Sequence, residues 1–183
     1  QPDNARALAF HDVIWKGYLF SLPDSAFILA QTLYDFSEFK GNKKFMSAAI
    51  HTQSVSLSIR GKYLESIEYG KRSVILDVER GDKIAQIGSM GSIGVSYKNL
   101  GDLANAFDYL NGAIKLSESI NYNEGIAAQL NNISLIYIEQ KEYDKALIKL
   151  KRSIKIRNEF GFTRGLSASY SSVGDVYLKK GDF

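Results

Sequence analysis

Apolar residues recur along this chain at alternating spacings of three and four positions, which is the period of an α-helix with one buried face. No segment of useful length shows the two-residue alternation of a half-buried β-strand. Polar pairs and glycines interrupt the apolar pattern at regular intervals. The pattern therefore predicts an all-α protein with about nine helices, at residues 4–19, 23–39, 44–60, 63–80, 84–100, 103–119, 124–140, 143–160 and 164–180.

Equivalent residue types return every 40 positions, and no gap is needed to align them. Three sets show this period most clearly: Gly61, Gly101, Lys141 and Gly181; Tyr97, Tyr137 and Tyr177; and Ala26, Ser66, Ala106 and Ala146. Each unit holds two predicted helices joined by a tight turn, so the pattern predicts an α-solenoid of antiparallel helix pairs. We expect one repeat array over residues 1–183, with units at about 4–43, 44–83, 84–123, 124–163 and a partial unit at 164–183.

Turn residues agree with these helix boundaries. Gly41, Gly81, Asn121 and Gly161 occupy equivalent positions after the second helix of successive units. Glycine, and less often asparagine, ends helices because it accepts a positive φ. Pro23 falls in the first turn of a predicted helix, where its missing N–H costs nothing. We expect Ser21 to cap that helix.

The repeat resembles the tetratricopeptide repeat family. The family's Leu-Gly pair, followed three residues later by Tyr, is matched by Ile93-Gly94 with Tyr97 and by Val173-Gly174 with Tyr177. The small residue that starts the second helix is matched by Ala106 and Ala146. The period is 40 rather than the usual 34 residues, and the family's late Pro is absent. Longer units of this kind resemble those of kinesin light chain, of Pins-type scaffolds and of sensory repeat arrays in bacterial signalling proteins.

This resemblance implies a right-handed superhelix whose first helices line a concave, partner-binding face. Small side chains would keep the floor of that face open, apolar ones would give contact area, and amides would hold a peptide backbone. The competing interpretation is that these are ordinary solvated helix residues. The residues that the resemblance places at partner-binding positions are His51, Val55, Val95, Lys98, Asn99, Asn131, Leu135, Glu139 and Asp175.

Composition excludes several classes of function. The chain has no Cys, which removes disulfides, thiol catalysis and Cys-ligated metals, and its net charge of +3 gives no case for nucleic acid. Its two histidines, His11 and His51, lie 40 apart and are too few for a closed metal site. No side chains are spaced as a nucleophile and its base, and no apolar run is long enough to span a membrane. We therefore expect no catalytic residue, cofactor or metal, and no direct membrane insertion by this segment.

Three local patterns invite a functional interpretation, and for each we favour a structural one. The glycines of residues 88–94 match neither phosphate-binding pattern, and they indicate close helix packing. The basic residues of 145–157 fall on the solvated outer face of a helix. Trp15 and Tyr18 would cover the open end of the array rather than stack on a ligand.

The first hypothesis for function is a protein-interaction module that binds a peptide, a helix or a neighbouring domain. A second makes the chain the regulatory region of a bacterial signalling enzyme, either an adenylate or guanylate cyclase or a sensor histidine kinase, whose catalytic domain lies elsewhere. A third is a homo-oligomerisation scaffold, such as a homodimer. We also expect the chain to be a fragment, because its last unit is incomplete at residue 183. The compartment, cytoplasmic or periplasmic, stays open.

Overall fold

A computed structural model describes residues 2–181, in which nine α-helices follow one another. Residues 1, 182 and 183, including the end of the predicted partial unit, lie outside the described range. The helices are α1 (Pro2–Val13), α2 (Pro23–Phe39), α3 (Lys43–Ile59), α4 (Tyr63–Glu79), α5 (Lys83–Leu100), α6 (Leu103–Ser119), α7 (Asn123–Glu139), α8 (Tyr143–Glu159) and α9 (Leu166–Lys180).

From α2 to α8 the helix bounds lie within one residue of the sequence prediction. The first predicted helix differs, because α1 ends at Val13 and a π-helical turn occupies Ile14–Tyr18. Pro23 begins α2 as expected, but the cap at Ser21 was wrong. Leu22 is the N-cap, and the Ser21 hydroxyl donates backwards to the Gly17 carbonyl at 2.9 Å.

The described chain forms two compact units, the first ending at Asp102 and the second beginning at Leu103. In the first unit, α3 packs against α2 and α4, and α4 packs against α5. The odd-numbered helices α1, α3 and α5 also contact one another in order. In the second unit, α7 packs against α6 and α8, and it also contacts α9. Within each unit the first helices of neighbouring repeats therefore lie side by side.

Every turn from α2 onwards contains a residue with a positive φ, and these residues recur every 20 positions along the chain. They are Gly41, Gly61, Gly81, Gly101, Asn121, Lys141, Gly161 and Gly181. At Gly61, where φ is 74°, the N–H of Lys62 reaches back to the Leu57 carbonyl at 2.9 Å, which is the Schellman pattern. Lys141 takes the same conformation with φ 61° despite its side chain. An extra left-handed residue, Gly165, delays the start of α9.

Apolar side chains fill the space between the two helix layers of each unit. In the first unit one cluster joins α1, the π-helical turn, α2 and α3 through Ala7, Ile14, Leu19, Ala26, Leu33, Phe45 and Ala49. In the second unit another cluster joins α7, α8 and α9 through Ile138, Ala146, Leu147, Leu150 and Val176. Among the described residues, no helix combines the length and the apolar character that crossing a bilayer requires.

Candidate functional site

Side-chain hydrogen bonds join neighbouring first helices of the repeats within each compact unit, α1, α3 and α5 in the first unit and α7 and α9 in the second. We call the surface that these helices form in a unit its first-helix face. In the first unit the Trp15 indole N–H donates to Thr52 Oγ1 on α3 at 2.8 Å. His51 Nε2, also on α3, lies 2.9 Å from Ser92 Oγ on α5. In the second unit Ser169 Oγ on α9 donates to Asn131 Oδ1 on α7 at 3.0 Å. These polar contacts fix the spacing of the helices that form this face.

A cavity of about 200 Å³ opens on the first-helix face of the first unit. Residues of α1, the π-helical turn, α3 and α5 contribute to it, and the end of α4 closes one side. We call it the α1–α3–α5 cavity. It is lined by His11, Trp15, Lys44, Ser47, Ala48, His51, Asp77, Arg80, Asp82, Ala85, Gly88 and Ser89.

One wall of the cavity is aromatic. The ring centroid of Trp15 lies 5.9 Å from that of His11 and 5.7 Å from that of His51, with interplanar angles of 45° and 37°. Burial lowers the pKa of His51 to about 4, and the charge of His11 lowers it further. Burial also lowers the pKa of His11, against the opposing effect of Asp12. Both imidazoles are therefore neutral at neutral pH, and the wall presents three uncharged rings.

A second part of the lining carries charges that neutralise one another. The Arg80 guanidinium donates to Asp77 Oδ1 at 3.2 Å and to Asp82 Oδ2 at 2.7 Å. Asp82 is also the N-cap of α5, since its Oδ1 accepts from the Ala85 N–H at 3.0 Å. Lys44 lies on the exposed rim. Two cations and two carboxylates leave this wall with no formal net charge.

Serine hydroxyls support the charged wall from inside the first unit. Asp77 is fully buried, and its two carboxylate oxygens accept hydrogen bonds from Ser47 at 2.5 Å and Ser89 at 2.9 Å. Ser73 lies between these two serines, 3.1 Å and 3.0 Å from their hydroxyls. Burial raises the pKa of Asp77, against the lowering effect of its serine and arginine partners. Each charged or polar atom of this group is therefore held in one geometry.

Two helical glycines of the first unit, Gly70 and Gly88, differ in the space that surrounds them. At Gly70 in α4 an added Cβ would lie 2.6 Å from Ile93 Cγ1, so close helix packing explains the glycine. At Gly88 in α5 the nearest atom to an added Cβ is His51 Cε1, 4.0 Å away. Gly88 therefore lies at the open floor of the cavity, and the packing role predicted for residues 88–94 does not account for it.

The five predicted partner-binding residues of the first unit do not all lie in the cavity. His51 lines it, whereas Val55 packs against the apolar cluster of α1–α3. On α5, Val95 and Lys98 are half-buried and Asn99 is exposed.

The four predicted residues of the second unit have varied environments. Asn131 accepts the hydrogen bond from Ser169 described above, and Leu135 packs against the apolar cluster of α7–α9. Asp175 on α9 pairs with Lys179 at 2.8 Å, and Glu139 is exposed at the end of α7. Their role in partner binding stays a prediction.

Sequence reasoning missed most of the cavity. Trp15 was expected to cover the end of the array, but it packs against the apolar cluster and also lines the cavity beside His51. Asp77 and Arg80 were not among the predicted residues, because charged residues near a helix end are normally solvated. His11 and His51 both adjoin Trp15, but within residues 2–181 no group of three His, Asp or Glu side chains is placed to hold a metal ion.

Comparison with known proteins agrees with this architecture. Residues 86–159 match the family model described as tetratricopeptide repeat. A crystal structure of BtubC (BKLC) from P. vanneervenii superposes with a TM-score of 0.69 at 20% identity, over 99% of this chain and 80% of that one. A putative kinesin light chain with nearly identical TPR-like repeats, from Podosopora anserina, gives 0.68 at 14% identity, over 99% and 89%. No curated protein matches the chain. The predicted all-α helical repeat solenoid is thereby confirmed.

Proposed function

We propose that this chain binds a peptide segment or a neighbouring domain of a partner on a first-helix face, because residues 86–159 match the model of the tetratricopeptide repeat, whose repeats are protein–protein interaction modules. The observation that carries this proposal is the α1–α3–α5 cavity, which is built from three successive first helices. Concave, mostly apolar sites with a few convergent polar groups are where proteins bind ligands.

Each compact unit also carries hydrogen-bonding side chains on its own first helices. Asn99 is exposed on α5, and Asn131 is half-buried on α7. A carboxamide can donate to and accept from a peptide backbone at once. We therefore propose the nine residues of the sequence prediction as partner contacts. A partner side chain would insert into the cavity. Binding by this arrangement needs complementarity of shape and hydrogen bonding on a preformed surface.

A peptide selected from a displayed random library provides a ligand for the test. We expect the triple variant Lys98→Ala, Asn99→Ala and Asn131→Ala to weaken its binding by about tenfold or more, measured by titration calorimetry. The matched control replaces three exposed residues on second helices: Glu68→Ala, Lys115→Ala and Lys155→Ala. Both variants should keep the helical circular dichroism of the parent chain.

The proposal fails if the second-helix variant loses binding and the first-helix variant retains it. It also fails if both bind as the parent chain does, provided that several unrelated selected peptides give the same result.

A further inference from the structure

The α1–α3–α5 cavity has the size of one ring-bearing side chain. Its volume is about 200 Å³. For comparison, an engineered protein cavity of about 150 Å³ lined by apolar side chains accepts benzene. A second contact of similar size would not fit beside the first, so the cavity accommodates a single side chain of a partner.

Gly88 shows that the floor of the cavity is left open at a cost in helix stability. A glycine inside a helix is less stable than alanine by about 1 kcal/mol. At Gly70 close packing against Ile93 offsets this cost, but at Gly88 no atom beyond its chain neighbours and the adjacent backbone of its own helix lies closer than 4.0 Å to an added Cβ. The equivalent positions in the preceding and following 40-residue repeats hold Ala48 and Ala128. An incoming group that reaches the backbone of α5 would explain the glycine.

The two walls define the chemistry of the occupant. Trp15 and the neutral His51 present ring faces and edges at the spacing of aromatic pairs, which favours another aromatic ring. Among the other lining residues, Asp82 can accept a hydrogen bond and Lys44 can donate one. The formal charges of that wall cancel, so it attracts neither an anion nor a cation over the other. The combination suits an uncharged ring that carries a hydroxyl group.

We propose that the α1–α3–α5 cavity is an anchor site for the tyrosine side chain of a partner protein, with the ring against Trp15 and His51 and the phenol hydroxyl towards Asp82 and Lys44. This proposal rests on the proposed function, because it names the anchor residue of the same first-helix face. It adds the identity of the partner side chain that enters the cavity.

Trp15 provides a site-specific reporter because it is the only tryptophan of the chain. N-acetyl-tyrosine amide is titrated into the full chain while the indole N–H resonance of Trp15 is followed by nuclear magnetic resonance. We expect a saturable shift with N-acetyl-tyrosine amide, a weaker response with the phenylalanine analogue and none with the leucine analogue.

A filled cavity separates binding from folding. Gly88→Leu places a side chain in the open floor and also raises helix propensity, so the variant should fold. We expect this substitution to weaken the binding of N-acetyl-tyrosine amide by roughly tenfold or more. The matched control is Gly174→Leu in α9, where an added Cβ also meets nothing within 4 Å. This control should bind the analogue as the parent chain does.

Three results would overturn the tyrosine anchor: no indole shift with any aromatic probe, a leucine analogue that binds as well as the tyrosine one, or an unchanged shift in Gly88→Leu. If the Lys98, Asn99 and Asn131 triple variant still abolishes peptide binding in that case, the anchor is refuted and the interaction function stands. If that triple variant is silent while the tyrosine analogue saturates the cavity, the anchor stands and the wider contact face is wrong.

Discussion

The glycines at positions 70 and 88 lie in consecutive helices, and the same substitution should change stability in opposite directions at the two sites. Alanine at either site gains about 1 kcal/mol of helix propensity. At position 88 its Cβ meets only His51 Cε1, at the ordinary contact distance of 4.0 Å, so the gain is kept. At position 70 its Cβ would lie 2.6 Å from Cγ1 of Ile93, which is fully buried and cannot swing away.

The magnitudes follow from these contacts. Forcing extra volume into a packed core costs about 1–3 kcal/mol. After the helix gain is subtracted, Gly70→Ala should lower the free energy of unfolding by up to about 2 kcal/mol. Gly88→Ala should raise it by about 0.5–1 kcal/mol. For a chain of this size, 1 kcal/mol corresponds to a change of about 2–4 °C in Tm.

Urea unfolding followed by circular dichroism measures both variants against the parent chain. Repeat proteins can unfold unit by unit, so hydrogen exchange of the α4 and α5 amides should locate the change in the first unit. The reasoning is refuted if both substitutions stabilise, or if Gly88→Ala destabilises by as much as Gly70→Ala. The second result would mean that Gly88 has a packing role that the contacts do not show.

Substitutions at four further positions test other parts of the structure. Lys141→Gly should stabilise the chain by about 0.5–1 kcal/mol, and Gly61→Lys should destabilise it by a similar amount, because only glycine adopts a positive φ without strain. The Tm shifts of the two variants should therefore have opposite signs. Asp77→Ala should cost about 3 kcal/mol or more in urea unfolding, since Arg80 loses a buried partner, whereas an asparagine there should cost clearly less. The pKa of His51 is about 4 in the folded chain and higher in the unfolded chain, so protonation of His51 favours unfolding. Its neutral form therefore contributes fully to the free energy of unfolding above pH 6.5. This contribution is lost, by up to about 3 kcal/mol, as the pH falls towards 4. Tm against pH should show a shallower acid decline in His51→Gln, and an unchanged profile would contradict this account.

The helices and turns could be predicted from the sequence because their signals are local. A helix needs only its apolar period, and a left-handed turn residue such as Gly81 or Asn121 marks its end within a few positions. The exception is the π-helical turn at Ile14–Tyr18, where the apolar period continues without a break although the backbone pattern changes. Ser21 illustrates the same limit, because its hydroxyl donates to the preceding Gly17 carbonyl and does not cap the following helix.

The cavity could not be predicted in the same way. Its walls come from residues as far apart as His11 and Ser89, and their meeting depends on how neighbouring helices pack. Of the nine predicted contacts, only His51 lines it. A signal for Asp77 did exist: the same repeat position holds Ser37, Ser117 and Arg157, and all are buried polar residues. Polarity at an inward-facing helix position therefore carries information that a search for apolar stripes discards.

The left-handed turn residues recur at half the length of a repeat, so from α2 to α8 each helix joins the next through the same type of junction. Loss or gain of a single helix would therefore leave each junction chemically intact. It would, however, exchange the two layers for the helices that follow, and residues of the proposed partner-binding face would move to the other layer. Only changes by whole helix pairs preserve both the junctions and the positions of those residues. The turns thus leave the number of helices free to vary in evolution, while a binding face built from first helices would restrict that variation to complete repeats.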